Sequence, residues 1–509
     1  MMKLNNTSNG KRIAQNTMIM YVRMLLVMAI TLVTVRFVLK ILGVEDYGIY
    51  NVVAGLVTSM SFVSNSMQMA TQRFYAYAIG ERNEEKQKVI FNLSLLIYAT
   101  LVIIVLILAE TVGLWFLTHK MVIPESRFVA ALWIYHFAIL SFVITMLTTP
   151  FAAMIIAHED MGVFAVVSLT DCILKLLILI PLTLLPYDKL IFYGMFILLV
   201  TIIKEGIVIL YSRKNYLECR FKKTWDRRQF RSILSYSGWS LFGTMAGTAY
   251  NQGNNLLINM FFGPIANAAQ AVAFQVSTAL NMFSSNFFVV IRPPLIKSYA
   301  EGNHDYMMRL FYTSGKITFC LLLLIFFPLI LNTEYILTLW LGKVSEYMVS
   351  FTQLTLIATI ILAMHQPITT LVQAAGAVKR YHAIVETITL MCVPLTYLFF
   401  RLGYPVQWTF YISIVLFVVA HFIRLLVLRT IMPFSINEYC VKFLLPITAI
   451  VCISIMIVYV IYTLLPSGMT GFILSCIVSI LTVSVCSFGI AFNKQERLQV
   501  IKMIKKHGK

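Results

Sequence analysis

The sequence predicts an all-α polytopic membrane protein of about fourteen transmembrane helices, in two parallel six-helix repeats followed by two extra C-terminal helices. Three observations lead to this fold class. Hydrophobic residues make up 60% of the 509 residues and charged residues only 12%, whereas a soluble domain is about 25% charged. Apolar runs of bilayer length follow one another with short breaks, and the second half of the chain repeats features of the first.

A helix needs roughly 17 to 25 residues to cross a bilayer, and each apolar run is long enough to do so. The runs end at breaker residues or charged loops. The first run is interpreted as a retained span, because no short apolar core with a small-residue cleavage site precedes it. The predicted spans, in chain order, cover 13–41, 49–78, 88–117, 128–156, 161–185, 188–212, 235–261, 267–292, 309–331, 350–375, 380–401, 406–429, 441–465 and 469–492.

Lysine and arginine support this count, because short cytoplasmic loops collect them during insertion. With the N-terminus inside, the richest inner segments are 212–231 and 494–509, so both termini are predicted to be cytoplasmic. The net charge of +19 is then mostly a topology signal, and nucleic-acid binding is not expected. A second interpretation of 212–231 is contact with anionic headgroups. The inner loop 157–160 (AHED) is an acidic exception.

An internal repeat divides the chain into two lobes. Three anchor pairs share nearly one offset: Gly43 with Gly263 (220 residues), Pro150 with Pro367 (217) and Trp115 with Trp340 (225). Six spans are an even number, so the second copy enters the membrane in the same sense as the first. The predicted domains are an N-lobe (1–212), a basic cytoplasmic linker (213–234), a C-lobe (235–432), helices 13 and 14 (433–492) and a basic cytoplasmic tail (493–509).

Breaker residues within the lobes have two interpretations. Gly43, Gly263, Pro150, Pro293 and Pro294 are candidate bending points or plain turn residues, and the turn interpretation is favoured for the two glycines.

Polar stripes follow three predicted helices, because residues three and four apart share a helix face. The stripes are Asn51, Thr58, Ser61, Asn65, Gln68 and Gln72 on helix two; Thr244, Thr248, Asn251, Asn255 and Asn259 on helix seven; and Asn267, Gln270, Thr278, Asn281 and Ser285 on helix eight. An unpaired amide in hydrocarbon costs several kcal/mol, so these faces must meet protein or water.

Two interpretations of the stripes remain. They are interhelical hydrogen bonds, worth about 0.6 kcal/mol each, or they line a hydrated cleft between the lobes. Their occurrence in both repeats favours the cleft, and carboxamides supply the donors and acceptors that a sugar needs. The candidate sugar-binding residues are Asn51, Asn65, Gln68, Gln72, Asn251, Asn255, Asn259, Gln270 and Asn281.

Intramembrane arginines are the second site signal, because such residues usually mark a pathway. Arg23, Arg73 and Arg292 are candidates, since a guanidinium matches phosphate oxygens. The alternative is a topogenic arginine that snorkels to the interface. Arg36 lies 13 residues after Arg23, or about 220° around a straight helix, so the two arginines are not expected in one cavity.

Other ionisable residues are candidates for ion coupling. Asp171 and Lys175 are four residues apart and are expected to form a structural ion pair, with Lys316 as a further buried cation. Glu110, Glu386, His365 and His421 are considered for a proton or sodium relay, but their spacing forms no recognisable site.

Enzyme signatures are missing from the sequence. The eight cysteines form no CxxC pair, and no GxxxxGK motif followed by Ser or Thr occurs. The short predicted outer loops argue against a membrane glycosyltransferase or polymerase, which needs acids and bases in a substantial loop. No catalytic residue, metal or cofactor is therefore expected.

Four segments carry a family resemblance: LGVEDYGIY (42–50), TPFAAMIIAHEDMGVFAVVSLTD (149–171), YSGWSLFGTMAGTAYNQGNNLLINMFFGP (236–264) and IRPPLIKSYAEG (291–302). They resemble the polysaccharide-transporter branch of the multidrug/oligosaccharidyl-lipid/polysaccharide (MOP) flippase superfamily, the O-antigen flippases. The resemblance implies a V-shaped, MATE-like pair of lobes in the bacterial inner membrane.

The resemblance also implies an activity. Relatives move an undecaprenyl-diphosphate-linked oligosaccharide to the outer leaflet by alternating access, for surface polysaccharide synthesis, and cationic cavity residues bind the diphosphate. Arg23, Arg73 and Arg292 are the positions that match. Membrane lipids, a coupling ion (H⁺ or Na⁺) and other polysaccharide assembly proteins are the partners it implies. The alternative is a cation-coupled drug exporter of the same superfamily, against which the amide-rich stripes argue.

Overall fold

The computed structural model describes residues 2–491 except 59, 120, 122, 185, 221–224, 343 and 465–467. The described part of the chain is almost entirely helical and contains no strand. The predicted tail 493–509 lies outside the described residues, as does part of the predicted linker 213–234.

Fourteen helices are labelled here in chain order. They are α1 (Gly10–Gly43), α2 (Glu45–Val57 with Ser61–Gly80), α3 (Glu84–His119), α4 (Glu125–Ala157), α5 (Met161–Leu184), α6 (Lys189–Asn215), α7 (227–262), α8 (Ile265–Ala300), α9 (His304–Leu331), α10 (Tyr347–Ala375), α11 (Val378–Arg401), α12 (Trp408–Ile431), α13 (Ile436–Leu464) and α14 (Met469–Ala491).

The predicted fold class is confirmed, with one qualification on the number of spans. Within the described residues, twelve helices are long and apolar enough to cross a membrane, and α2 becomes a thirteenth if its two segments, bent by 46°, form one span. The remaining predicted span, 235–261, is helical as part of α7 but does not meet that test. Its carboxamides, Asn251 to Asn259 among them, lower the hydropathy of an otherwise apolar run.

Two glycines separate helices at equivalent places in the repeats. Gly43 (φ 82°, ψ 171°) ends α1, and Gly263 (φ 76°, ψ −172°) separates α7 from α8. Only glycine adopts this backbone conformation readily, because any Cβ clashes there. Both are therefore turn residues, as favoured from the sequence, whereas Pro150, Pro293 and Pro294 lie inside helices.

Helix caps repeat with the same offset as the glycines. The Asn83 side chain caps α3 by accepting from the Lys86 amide at 2.9 Å, and Asn303 caps α9 by accepting from the Tyr306 amide at 3.2 Å. Asn83 and Asn303 are 220 residues apart, as are Gly43 and Gly263. A cap satisfies a backbone amide that the first helical turn leaves unpaired, so each repeat starts its third helix by the same device.

The chain packs as two compact units. Unit 1 comprises Met1–Thr244 with Arg292–Gly302, and unit 2 comprises Met245–Ile291 with Asn303–Lys509, counting only the described residues. The ends of α7 and α8 that are predicted to be cytoplasmic thus pack in unit 1. The compact units differ from the lobes predicted at 1–212 and 235–432, and those domain limits stay a prediction.

Each unit has an apolar core at the glycine turn. In unit 1, Val53 of α2 packs with Tyr135 of α4 and Leu190 of α6. In unit 2, Ala269 of α8 packs with Phe351 of α10 and Phe410 of α12. The second, fourth and sixth helices of each repeat therefore build equivalent cores.

Helices α13 and α14 pack within unit 2 and have no counterpart in unit 1. The Asn332 side chain, just after α9, donates to Ser475 Oγ of α14 at 2.8 Å. The buried Gly471, Ser475 and Ser479 recur every four residues on α14. Small residues at this spacing let helix backbones approach closely in a membrane.

Candidate functional site

Two of the three predicted phosphate-binding arginines lie near one aromatic ring in unit 1, that of Tyr236. The guanidinium carbon of Arg73 lies 5.4 Å from the ring centroid of Tyr236 on α7. Arg292, near the end of α8, also lies within electrostatic range of Tyr236. The structure therefore brings positive charge from α2 and α8 to one place, which the sequence alone did not show.

Aromatic rings surround the Arg73 guanidinium. Its carbon is 4.9 Å from the ring centroid of Phe74 and 5.0 Å from that of Tyr77, which follows Arg73 by one helical turn. Arg73 is 9% exposed, and the Glu81 carboxylate lies within electrostatic range. Ring faces attract a cation without neutralising it, so the guanidinium keeps a positive charge that can attract an anion.

The third arginine, Arg23, is half-buried on α1 and lies 4.9 Å over the ring of Phe164 on α5. Arg36, further along α1, is exposed. Their different environments agree with the 220° separation expected on one helix.

The carboxamides of α7 divide into two groups. Asn254 is buried and donates to Cys392 Sγ of α11 at 3.6 Å, which makes it an interhelical contact. Asn251, about one helical turn earlier, is exposed and donates to the Gly247 carbonyl of its own helix at 3.1 Å. Asn259 is also exposed and Asn255 is half-buried. An exposed amide next to lipid would be costly, so this face is suited to water or a polar ligand.

The stripes on α8 and α2 likewise contain both interhelical amides and exposed amides. On α8, Asn281 donates to Ser277 Oγ at 3.4 Å, and Ser277 pairs with Thr359 of α10 at 2.7 Å, so Asn281 belongs to an interhelical chain. On α2, Asn51 is exposed and donates to the Tyr47 carbonyl at 2.9 Å.

The α2 stripe is not continuous on one straight helix. The break between the segments of α2 separates Asn51 from the stripe residues that follow it. In the second segment Asn65 is exposed, Gln68 is half-buried and Gln72 is 3% exposed. Gln270 of α8 is half-buried. The assignment of these residues to sugar binding stays a prediction.

The predicted ion-coupling residues form separate pairs. Lys175 Nζ donates to Asp171 at 2.8 Å, as expected for an ion pair one helical turn apart. Exposed Glu110 lies 3.7 Å from His136, and Glu386 lies 3.5 Å from His382. Lys316 of α9 is 6% exposed.

A buried carboxylate on α6 was not predicted from the sequence. Glu205 is 4% exposed; its Oε2 accepts from Thr148 of α4 at 2.5 Å and its Oε1 lies 2.7 Å from Lys204 Nζ. The signal was present as a Lys-Glu pair inside the apolar run LLVTIIKEGIVIL. Consecutive residues do not face each other on a helix, so an ion pair between Lys204 and Glu205 was not expected from the sequence.

A second missed cluster explains the acidic loop between α4 and α5. Glu159 lies 2.8 Å from Arg12 of α1 and 2.7 Å from Lys297 of α8, and its carbonyl accepts from Asn16 at 3.0 Å. One carboxylate thus joins three parts of unit 1 at the end predicted to be cytoplasmic. The neighbouring imidazole of His158 stacks on Tyr216 with ring centroids 4.4 Å apart.

His158 is held in its neutral form. Burial, and then the charge of Lys297, lower the pKa of His158 to about 4, with Arg12 acting in the same direction and Asp160 in the opposite one.

A group of three or more His, Cys, Asp or Glu side chains able to hold a metal is not found within the described ranges.

Comparison with solved structures shows the fold. A point mutant of a MATE protein matches with a TM-score of 0.72 and 14% identity over 83% of this chain and 96% of that one. An outward-facing multidrug resistance MATE transporter of the MOP superfamily matches with a TM-score of 0.69 and 13% identity over 83% and 95%. A MOP superfamily transporter from Pyrococcus furiosus, described as having a binding pocket of reversed polarity, gives 0.66 and 14% over 83% and 96%.

Sequence comparison gives the family. None of the curated proteins compared with this chain matches it. The family described as "Polysaccharide biosynthesis protein" matches residues 13–298, which is more than half of the chain. The helices, the fold of the MOP transporters and this match confirm the resemblance found in the sequence. The chain is a multi-pass membrane protein that belongs to the polysaccharide biosynthesis protein family.

Proposed function

We propose that this protein is a flippase that moves a polyprenyl-diphosphate-linked oligosaccharide from the cytoplasmic to the outer leaflet of a bacterial inner membrane by alternating access. The product would supply the synthesis of a surface polysaccharide such as O-antigen or capsule. The observation that carries the proposal is that Arg73 lies over the ring of Tyr236 and Arg292 lies within electrostatic range of the same residue, in a chain of this family.

Two guanidinium groups fit the headgroup of such a lipid. A diphosphate is a compact, multiply charged anion, and it loses its hydration when it enters a membrane protein. Charge-assisted hydrogen bonds from arginine offset that loss, and each is roughly twice as strong as a neutral one. The rings around Arg73 leave its charge in place, so the guanidinium still attracts an incoming phosphate.

The exposed carboxamides fit the glycan. Asn251, Asn259 and Asn51 present amide groups outside the cores of their units. Sugar hydroxyls require both donors and acceptors, and each amide supplies both. The polyprenyl chain would remain in lipid during the transfer, so no covalent step is needed.

A cation-coupled exporter of the same superfamily is the second candidate. The buried Glu205 favours it, because a buried carboxylate is a site where a proton or sodium ion can bind. Lys204 lies 2.7 Å away and already supplies one positive charge. The exposed amides are less suited to an apolar drug than to a sugar.

The test is transfer of a fluorescent polyprenyl-diphosphate-linked glycan across proteoliposomes. Arg73→Gln and Arg292→Gln are each expected to slow transfer about tenfold or more, since a hydrogen bond to a charged group contributes about 1.5–3 kcal/mol. Arg36→Gln on the exposed surface of α1 is the matched control and should transfer normally. All variants are first checked for folding by size-exclusion chromatography.

Three outcomes separate the alternatives. Slow transfer in both variants with a normal control supports the flippase. Equal transfer by all proteins contradicts the arginine site. Ion-gradient-driven efflux of cationic dyes, without transfer of the glycan, would replace the flippase with the exporter.

A further inference from the structure

A buried cluster of positively charged and imidazole side chains occupies unit 2, and it includes two of the histidines considered above for a relay. It comprises His365 of α10, His421 and Arg424 of α12, Tyr381 of α11 and Tyr439 of α13. The five residues are between 1% and 6% exposed. Such burial is unusual for charged side chains in a membrane protein and normally marks a function.

Helix geometry brings the cationic groups together. His421 and Arg424 are three residues apart on α12 and share a face. His365 follows the interruption of α10 at Met364, and its ring stacks on His421 with centroids 5.4 Å apart. Arg424 lies within electrostatic range of both imidazoles.

Most hydrogen bonds in the cluster can be assigned. Arg424 Nε donates to Tyr381 Oη at 2.9 Å, and Tyr381 Oη pairs with Thr369 at 2.7 Å. Tyr439 Oη lies 3.2 Å from His421 Nε2. When the tyrosine hydroxyl donates to Nε2, the histidine proton must be on Nδ1.

Several donors remain without a hydrogen bond. Arg424 Nη1 and His421 Nδ1 are buried and make none with the described residues. In the described part of the chain, the only hydrogen-bonding neighbour of His365 is the backbone of Phe417. At least one ring nitrogen of His365 therefore has no hydrogen-bond partner there. Buried polar atoms without partners are rare and require an explanation.

Charge distinguishes an ion from a water molecule. Arg424 forms no ion pair within the described part of the chain, and Glu386, whose charge acts on Tyr381, lies 3.5 Å from His382. Water would satisfy the N–H groups but would leave the guanidinium charge unbalanced in a medium where such a charge is strongly destabilising. With both imidazoles neutral, Arg424 is the single cation of this cluster. One monovalent anion would therefore balance its charge.

We infer that unit 2 binds a small monovalent anion, chloride being the abundant one, between Arg424 Nη1, His421 Nδ1–H and a ring N–H of His365. The anion would fasten α10 to α12 by accepting hydrogen bonds from both helices. This inference does not depend on the proposed transport function.

Thermal unfolding of the purified full-length protein tests the inference. The Tm is measured as sodium gluconate is replaced by sodium chloride or bromide at constant ionic strength. Wild type and the control Arg429→Gln, an exposed arginine further along α12, are expected to gain about 2 °C or more in a saturable way. Arg424→Gln is expected to lose that gain.

Bromide gives a direct test in case Arg424→Gln does not fold. Crystals of the wild-type protein grown in bromide should show an anomalous peak within hydrogen-bond distance of Arg424. A water molecule or no density at this position overturns the inference. So does a Tm that is the same in chloride and gluconate, or a chloride effect that Arg424→Gln retains.

Discussion

Asn251 and Asn254 are three residues apart on α7, yet their side chains have different roles. Asn254 is tied to Cys392 inside unit 2, whereas Asn251 is exposed and bonds to its own helix. An interhelical amide contributes only modestly to stability. The exposed amides therefore need another reason to be present, and a polar ligand or water supplies it.

His158 yields a prediction about pH. Its folded-state pKa of about 4 lies below the usual 6.5, so the unfolded chain takes up a proton first as the pH falls. The stability that neutral His158 contributes is complete above about pH 6.5 and is lost as the pH falls towards 4, at up to about 1.4 kcal/mol per pH unit. His158→Phe keeps a ring over Tyr216 and cannot be protonated. We expect its Tm to fall less than that of the wild type between pH 7 and pH 4.5.

The control for this experiment is His304→Phe, which replaces an exposed histidine. Its Tm should follow the wild-type curve across the pH range. Parallel curves for the wild type and His158→Phe would show that folding does not lower the pKa of His158.

At the scale of helices, the two glycine turns are expected to contribute to stability through their backbone conformation. A Cβ at Gly43 or Gly263 would meet no atom within 4 Å beyond its own neighbours in the chain, so only the local backbone conformation disfavours a side chain there. Alanine at either position is expected to destabilise the protein by about 1–3 kcal/mol, because its side chain disfavours this region of φ/ψ space. The loss is measured as a drop in Tm.

Gly48→Ala and Gly247→Ala are matched controls. A Cβ at either of these glycines would also meet no atom within 4 Å, but both residues lie inside helices. Alanine there should be neutral or stabilise by about 0.5–1 kcal/mol. If all four variants behave alike, positive φ does not explain the turns.

Span limits were predictable from the sequence because they depend on local apolar length. The predicted 161–185 compares with Met161–Leu184, and 380–401 with Val378–Arg401. The bend within α2 was not predicted, because it depends on what each segment packs against. Gly43 and Gly263 could be assigned to turns because a shared offset placed both between spans.

The candidate site was only partly predictable. Arg73 and Arg292 were predicted because arginines are rare inside a membrane, but their common proximity to Tyr236 depends on how α2, α7 and α8 pack. Glu205 was not predicted because Lys204 is its immediate neighbour in sequence and Thr148 is 57 residues away, and neither spacing indicates a contact on one helix. Contacts between distant residues leave no periodic trace in one sequence, whereas helix faces do.

At the scale of the whole chain, the topology depends on α7. With α2 counted as one span, adding α7 gives fourteen spans and puts both termini on one side of the membrane, whereas thirteen spans without α7 put the termini on opposite sides. The amides of α7 lower its hydropathy, but its 227–262 length amply exceeds a bilayer. A helix of this kind can cross where its polar face meets protein or water.

Cysteine accessibility decides between the two counts. In a background without the eight native cysteines, an impermeant maleimide should label Ile265→Cys, just after the Gly263 turn, in intact cells. It should label Glu301→Cys, just after α8, only after the membrane is opened. Tyr187→Cys in the loop before α6 is the outside control, being exposed in the fold. Labelling of Ile265→Cys only from the cytoplasm would mean that α7 does not cross, since one span reverses the side on which the next loop emerges.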